Sequence, residues 1–140
     1  MSRIFWDTNL FIYLFEGKGE AADRVVALRE RMLERSDELW TSTLTLGELL
    51  VKPVEARDDA LRRQYEAVLA QTARLIPFDQ GAAAHYAELR ANRAIRPPDA
   101  IQLACAAQAG IDLFITNDDR LSRFTLPGVH FVVSLDRAPL

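Results

Sequence analysis

Acidic, amide and hydroxyl side chains directly follow three apolar stretches of this sequence that have the pattern of buried strands. The polar groups are Asp7, Thr8 and Asn9 after the first stretch, Thr41 and Ser42 after the second, and Thr116, Asn117 and Asp118 after the last. Two further carboxylates, Glu48 and Asp99, lie in helical patterns next to these stretches. Because the C-terminal ends of parallel strands share one edge of a sheet, we expect these acids to face one crevice there. Asp99 joins them only if the start of its helix packs over that crevice.

A cluster of carboxylates has a defined chemistry if its members converge. Like charges at short range raise one another's pKa, so four ionised carboxylates need a cation among them. Oxygen ligands without Cys or His select a hard cation such as Mg²⁺ or Mn²⁺. Such ions lower the pKa of bound water and neutralise phosphate oxygens, which is the chemistry of phosphodiester cleavage. The spacing therefore favours a metal-dependent nuclease, on condition that the four acids meet.

Each acid also has a purely structural interpretation, which the sequence leaves open. Asp7 can cap the helix that follows it. Thr45 and Glu48 match a capping box, in which Glu48 would only help to start a helix. Asp99 is favoured near a helix N-terminus by the helix dipole alone. The segment Asn117–Asp119 can be a turn and a cap.

The elements that must position these residues alternate between short apolar runs and longer helical patterns, which predicts an α/β fold with a short, mostly parallel sheet of four to five strands flanked by helices. Strands are predicted over Arg3–Trp6, Leu39–Ser42, Arg74–Phe78, Asp112–Thr116 and Val129–Ser134. Helices are predicted over Asn9–Phe15, Glu20–Arg35, Leu44–Val51 with Pro53 as the stop, Asp58–Thr72, Asp79–Asn92 and Asp99–Ala109.

Composition sets outer limits on the function. The 140 residues are 49% hydrophobic and 26% charged, which fits one compact domain over residues 1–140 and argues against disorder. The net charge of −3 argues against a strongly basic nucleic-acid-binding surface, although 15 of the 17 basic residues are Arg, which suits forked phosphate contacts. One cysteine, with neither a membrane span nor a signal peptide in the pattern, leads us to expect a cytoplasmic protein.

Four segments together make the sequence resemble the PIN domain family, and within it the small VapC-type toxin ribonucleases. They are FWDTNLFIYLF, TSTLTLGELL, PPDAIQLACAAQAGIDLFIT and TNDDRL, which run in family order over most of the chain. The resemblance implies a PIN-like three-layer fold in which Asp7, Glu48, Asp99 and Asp118 bind one or two Mg²⁺ or Mn²⁺ ions. Pro98 is a departure, because many members carry a small polar residue before this Asp.

The residues around the four acids take roles from the same resemblance. Thr8 and Thr116 would orient carboxylates or water, with Asn9 and Asn117 as neighbours of the site. Asp119 would support Asp118 or replace it, and the sequence does not separate the two. Arg93 and Arg96, just ahead of Asp99, are candidates for phosphate contacts, with solvated loop charges as the alternative.

The resemblance also implies an activity and partners. Family members cut RNA with metal-activated water and leave a 5′-phosphate and a 3′-hydroxyl, with single-stranded loops such as those of tRNA as the expected target. An antitoxin protein and a homodimer are expected, with the helices predicted over Glu20–Arg35, Leu44–Val51 and Asp58–Thr72 as contact surfaces. The alternatives are a PIN nuclease of RNA processing or quality control and a non-catalytic PIN-fold binding module.

Two other classes with acids at strand ends fit less well. A response-regulator receiver needs a paired acid after its first strand and a Lys after a late strand, and neither Lys18 nor Lys52 is so placed. A haloacid-dehalogenase-like phosphatase needs Asp-x-Asp after the first strand, where this chain has Asn9 in the third position.

Overall fold

A five-stranded parallel sheet forms the centre of the protein, as seen in a computed structural model that describes residues 1–124 and 131–140. The strands are β1 (Arg3–Trp6), β2 (Glu38–Ser42), β3 (Arg74–Ile76), β4 (Leu113–Thr116) and β5 (Val132–Ser134), in the order β3-β2-β1-β4-β5. All four pairings are parallel. The predicted α/β class and PIN-like sheet are confirmed, while the predicted start of the last strand at Val129 lies outside the described residues.

Six helices connect and cover these strands. They are α1 (Thr8–Glu16), α2 (Glu20–Arg35), α3 (Thr43–Glu55), α4 (Asp59–Thr72), α5 (Gln80–Arg90) and α6 (Pro97–Gln108). Their ends follow local chemistry: Asp58 and Asp79 cap α4 and α5 through their carboxylates, and Gly17 ends α1 in the left-handed region at φ 62°. Across the two described ranges, no helix combines the length and the apolar character that a bilayer span requires.

The predicted end of α3 at Pro53 is wrong. The helix runs on to Glu55 with Pro53 inside its last turn. A proline removes its own N–H bond and crowds the carbonyl four residues earlier. Here the turn nevertheless continues, because Ala56 N–H donates to the Lys52 carbonyl and Asp58 N–H donates to the Pro53 carbonyl. The Pro53 ring is buried. Its packing and the retained bonds keep the last turn helical.

Two apolar clusters pack on opposite faces of the sheet, and β1 contributes to both. Phe5 faces α5 and α6, where its ring stacks on Phe114 of β4 with centroids 4.8 Å apart. Ile4 and Trp6 face the other way, toward apolar side chains of the first four helices. Because β1 is the central strand, its C-terminal end places the next residue, Asp7, at the middle of the sheet edge.

Candidate functional site

The four predicted acids line one cavity at the C-terminal edge of the sheet. The cavity has a volume of about 230 Å³. Its lining residues are Asp7, Thr8, Asn9, Ile12, Glu48, Pro98, Asp99, Gln102 and Asp118. The acids come from separate places in the chain: the end of β1, the middle of α3, the first turn of α6 and the loop after β4. The condition that they face a common space is met.

Asp7 is the most buried of the four and has two roles. It caps α1, since its Oδ1 accepts the Thr8 N–H at 2.9 Å, and its Oδ2 accepts the Thr116 hydroxyl at 2.8 Å. Burial raises the pKa of the Asp7 carboxyl above its ordinary value, against the opposing effect of these hydrogen bonds. The nearby Glu48 charge raises it further. The capping interpretation of Asp7 is therefore correct and compatible with its place in the cavity.

Glu48 projects from the middle of α3 and does not start that helix. Ser42 is the N-cap, and its hydroxyl accepts the Thr45 N–H, so the capping box of Thr45 and Glu48 is wrong. The Glu48 side chain is exposed, and its Oε1 accepts the Thr8 hydroxyl at 2.8 Å. This bond joins the beginning of α1 to α3 across the cavity.

Asp99 lies in the first turn of α6, directly after two prolines at the helix start. Its pKa is raised, mainly by burial and then by the negative charges of Asp7 and Asp118. The positive charges of Arg120 and Arg96 act in the opposite direction. Asp99 is thus electrostatically coupled to two of the other acids.

Asp118, rather than Asp119, lines the cavity. The forked Arg120 guanidinium hydrogen-bonds to the Asp118 carboxylate and holds its pKa below the ordinary value. Asp119 is exposed, and its backbone carbonyl accepts the Ser122 hydroxyl. The geometry favours Asp118 as the fourth acid, although Asp119 is its direct neighbour in the chain.

The remaining predicted neighbours tie the cavity walls together. The Thr116 hydroxyl donates to Asp7 and accepts the Asp118 N–H at 3.1 Å. Asn9 Oδ1 accepts the Asn117 N–H at 3.2 Å, and the Asn117 amide donates to the Tyr13 hydroxyl at 2.8 Å. These bonds fix the loop after β4 against α1.

The two predicted phosphate-contacting arginines differ in their distance from the acids. Both are exposed, and neither lines the cavity. The Arg96 charge nevertheless lowers the pKa of Asp99 and of Asp118, which places Arg96 within electrostatic reach of the acidic edge. Arg93 is not among the main charges that shift the pKa of either acid.

Sequence reasoning missed two residues of this site, Gln102 and Arg120. Gln102 is buried and contacts Asp7, Thr8 and Thr45. A signal existed, since Gln102 is a polar residue on an otherwise apolar helix face, one turn after Asp99. Arg120 stands inside the TNDDRL segment, two residues after Asp118, and gave no such signal.

The residues present fit a hard divalent cation. Within the described ranges, no three Asp, Glu, His or Cys side chains already converge into a group that could hold a metal ion. The ion pairs found there engage Asp99 and Asp118, both with Arg120, but neither Asp7 nor Glu48. A buried carboxylate without a cation is costly, and oxygen donors are the ligands that Mg²⁺ and Mn²⁺ take. Cation binding would require that Arg120 release Asp118 and that the acids move closer together.

Comparison with protein families matches residues 4–126 of the chain to the PIN domain. That range contains all four acids of the cavity and four of the five strands. Among curated protein sequences, none matches the chain.

Solved structures with the same fold come from toxin–antitoxin complexes. VapBC2 from Rickettsia felis bound to a promoter DNA fragment aligns at a TM-score of 0.74 and 16% identity over 94% of this chain and 97% of that chain. A toxin–antitoxin complex from Klebsiella pneumoniae aligns at 0.64 and 26% identity over 91% and 95%. DNA-bound VapBC from Salmonella typhimurium aligns at 0.66 and 23% identity over 96% and 99%. The first and third similarities establish the fold alone.

Proposed function

This chain belongs to the PIN domain family, and from that membership we propose that it is a Mg²⁺- or Mn²⁺-dependent endoribonuclease. The observation that carries the proposal is the cavity into which four elements bring Asp7, Glu48, Asp99 and Asp118. The cavity contains oxygen donors and no His or Cys, which suits a hard cation and not a nucleophilic triad.

Each residue has a separate task in this mechanism. Asp7, Glu48 and Asp99 would hold the ion. Asp118 would become a fourth ligand after its ion pair with Arg120 breaks. When bound, Mg²⁺ or Mn²⁺ supplies a Lewis acid for phosphate oxygens and a water of lowered pKa. Thr8 keeps the Glu48 carboxylate oriented through its hydroxyl bond, and Thr116 does the same for Asp7.

RNA is the substrate that the surroundings of the cavity suit best. The cavity is small and open, so a phosphate of a flexible single strand reaches it more easily than one in a duplex. Arg96 supplies positive charge beside the acids, and Arg93 extends it along the same loop. We expect cleavage in unpaired loops, with tRNA as one candidate, that leaves a 5′-phosphate and a 3′-hydroxyl.

The biological role that we propose is that of the toxin in a type II toxin–antitoxin pair. The support is that the similar structures are VapBC and toxin–antitoxin complexes whose matched chains are covered almost completely. An antitoxin that binds the acidic cavity would restrain the nuclease, and a homodimer is the expected assembly. A role in RNA processing or quality control is the alternative for the same chemistry.

Cleavage of a structured RNA by the purified chain tests the proposal. We expect cleavage with Mg²⁺ or Mn²⁺, none with EDTA, and loss of activity in Asp99→Asn. Changes to groups that merely hydrogen-bond a metal ligand lower activity about 10–100-fold, so loss of a ligand should lower it at least as much. The matched control is Asp119→Asn, an exposed acid outside the cavity, which should cleave like the wild type.

Three results would contradict the proposal. Cleavage that persists in EDTA, or an Asp99→Asn variant that is as active as Asp119→Asn, would refute the metal mechanism. RNA binding without cleavage under any divalent cation would identify a binding module instead. Growth arrest on expression of the wild type, absent for Asp99→Asn, would separate a toxin from a processing enzyme.

A further inference from the structure

Gln102 is a buried amide on an otherwise apolar helix face. It is only 2% exposed, and its neighbours along α6, Ala100, Leu103 and Ala104, belong to the apolar core. A buried amide needs partners for its oxygen and for both of its N–H groups. Gln102 follows Asp99 by one helical turn, and both line the cavity. Its partners therefore determine how it acts on the candidate site.

Every polar atom of the Gln102 side chain is engaged at the cavity floor. Its Oε1 accepts the Ser42 hydroxyl. Its Nε2 lies 2.8 Å from Thr45 Oγ1, 3.0 Å from Thr8 Oγ1 and 3.4 Å from Asp7 Oδ1. The reverse orientation would turn the amide oxygen toward the Asp7 carboxylate, which is repulsive, so the amide nitrogen faces the acids.

This orientation leaves the Thr8 proton available to Glu48, since the Thr45 hydroxyl, 3.1 Å from Thr8 Oγ1, is itself able to donate to Thr8. A threonine hydroxyl has one proton and accepts through its lone pairs. Because Gln102 donates to Thr8 Oγ1, the Thr8 proton is free for Glu48 Oε1 at 2.8 Å. A residue without the amide donors would leave the Thr8 hydroxyl able to turn away from Glu48.

We propose that Gln102 is a positioning residue, which holds Asp7 directly and Glu48 through Thr8 in the arrangement that binds a divalent cation. The inference rests on the proposed metal-dependent function, and it adds a residue that need not contact metal or RNA. This one amide of α6 is anchored by Ser42 at the end of β2. It contacts Asp7 directly after β1, Thr8 in α1 and Thr45 in α3. Because Glu48 is exposed and is held by the Thr8 hydroxyl, its side chain becomes free to leave this position if the network is broken.

Mn²⁺ binding to the full chain, measured by isothermal titration calorimetry, tests the inference without relying on activity. Gln102→Met keeps the length of the side chain and removes its donors, and we expect Mn²⁺ affinity to fall about tenfold or more. Gln108→Met is the matched control, since Gln108 is an exposed glutamine on the same helix. The Mn²⁺ affinity of this variant should equal that of the wild type.

A merely structural role is excluded by coupling to Thr8. In a Thr8→Val background, which has already lost the bond to Glu48, Gln102→Met should weaken Mn²⁺ binding much less than in the wild type. In a Thr8→Ser background, which keeps the hydroxyl, the full effect of Gln102→Met on Mn²⁺ binding should return.

Thermal unfolding in EDTA measures separately whether each variant folds. If Gln102→Met does not fold, Ser42→Gly frees the amide at a helix cap that tolerates glycine, with an expected loss of about fivefold.

The outcomes separate this inference from the proposed function. A wild-type chain that binds no Mn²⁺ overturns both. Wild-type binding together with unchanged binding by Gln102→Met overturns the inference and leaves the proposed function standing. Equal weakening by Gln102→Met in the wild-type and Thr8→Val backgrounds shows that Gln102 does not act through Thr8, which also overturns it.

Discussion

Arg120 holds the Asp118 carboxylate from one side and reaches a second acid of the same cavity. Its Nε lies 3.0 Å from Asp118 Oδ1 and 3.2 Å from Oδ2, and its Nη2 lies 3.7 Å from Asp99 Oδ2. The positively charged guanidinium of Arg120 therefore lies beside two of the four acids. A metal ion that engages Asp118 must compete with this guanidinium.

Replacement of this arginine should strengthen metal binding. We expect Arg120→Gln to bind Mn²⁺ about threefold more tightly at low ionic strength, with a smaller gain at high salt, because the exposed ion pair is weak and screened. Calorimetry at two salt concentrations measures this. Arg123→Gln makes the same charge change nearby and should shift affinity less. Weaker binding by Arg120→Gln would show that Arg120 supports the site rather than competing for it.

Removal of the Thr116 hydroxyl should weaken metal binding by about tenfold. Thr116 donates to Asp7 and accepts the Asp118 N–H, so Thr116→Val loses both bonds at the cavity edge. Thr116→Ser keeps the hydroxyl and should bind Mn²⁺ nearly as well as the wild type. Equal affinities for the Val and Ser variants would contradict the orienting role of this hydroxyl.

The raised pKa of Asp99 predicts a pH-dependent stability of the metal-free protein. A folded-state pKa above the unfolded value means that the native state binds more protons, so stability falls as pH rises between the two values. Asp99→Asn removes this effect and should unfold about 1–3 °C higher than the wild type at pH 7.5, with the difference vanishing near pH 4. Thermal scans in EDTA provide the measurement. A variant that is less stable at pH 7.5 would contradict the prediction.

The single thiol should be inert in the folded protein. Cys105 is fully buried on α6, and burial raises its pKa to about 11. We expect a thiol reagent at pH 8 to modify the native chain at least about a hundredfold more slowly than the chain in guanidinium chloride. Rapid labelling of the native chain would show that α6 opens readily, and a Cys105→Ala variant controls for reaction elsewhere.

The location of the site was predictable because it follows from strand geometry. Asp7 directly follows β1 and Asp118 is the second residue after β4, and a parallel sheet brings such positions to one edge. The capping box at Thr45 and Glu48 failed because Ser42, three residues before Thr45, is an equally good cap and lies at the strand end. Pro53 failed as a stop because a helix that has begun can absorb one missing hydrogen bond near its end.

The hydrogen bonds and ion pairs that link the acids were not predictable from strand geometry. Gln102 contacts residues that are far away in the chain, and Arg120 contacts Asp118 because of the path of the loop after β4. Local periodicity in the sequence predicts neither contact. Gln102 meets Thr8, 94 positions away, only after α6 has packed over the sheet. A buried polar residue in an apolar helix marks such a contact without identifying its partner.

The separation of the four acids along the chain has a consequence for synthesis. Asp7 is made first, but Asp118 follows the fourth strand of the sheet, so a nascent chain carries an incomplete set of acids until that strand and the start of the next loop have been translated. An activity that depends on all four acids therefore cannot begin before this point of synthesis. Of the five described strands, only β5 remains to be made when the last acid of the cavity is added.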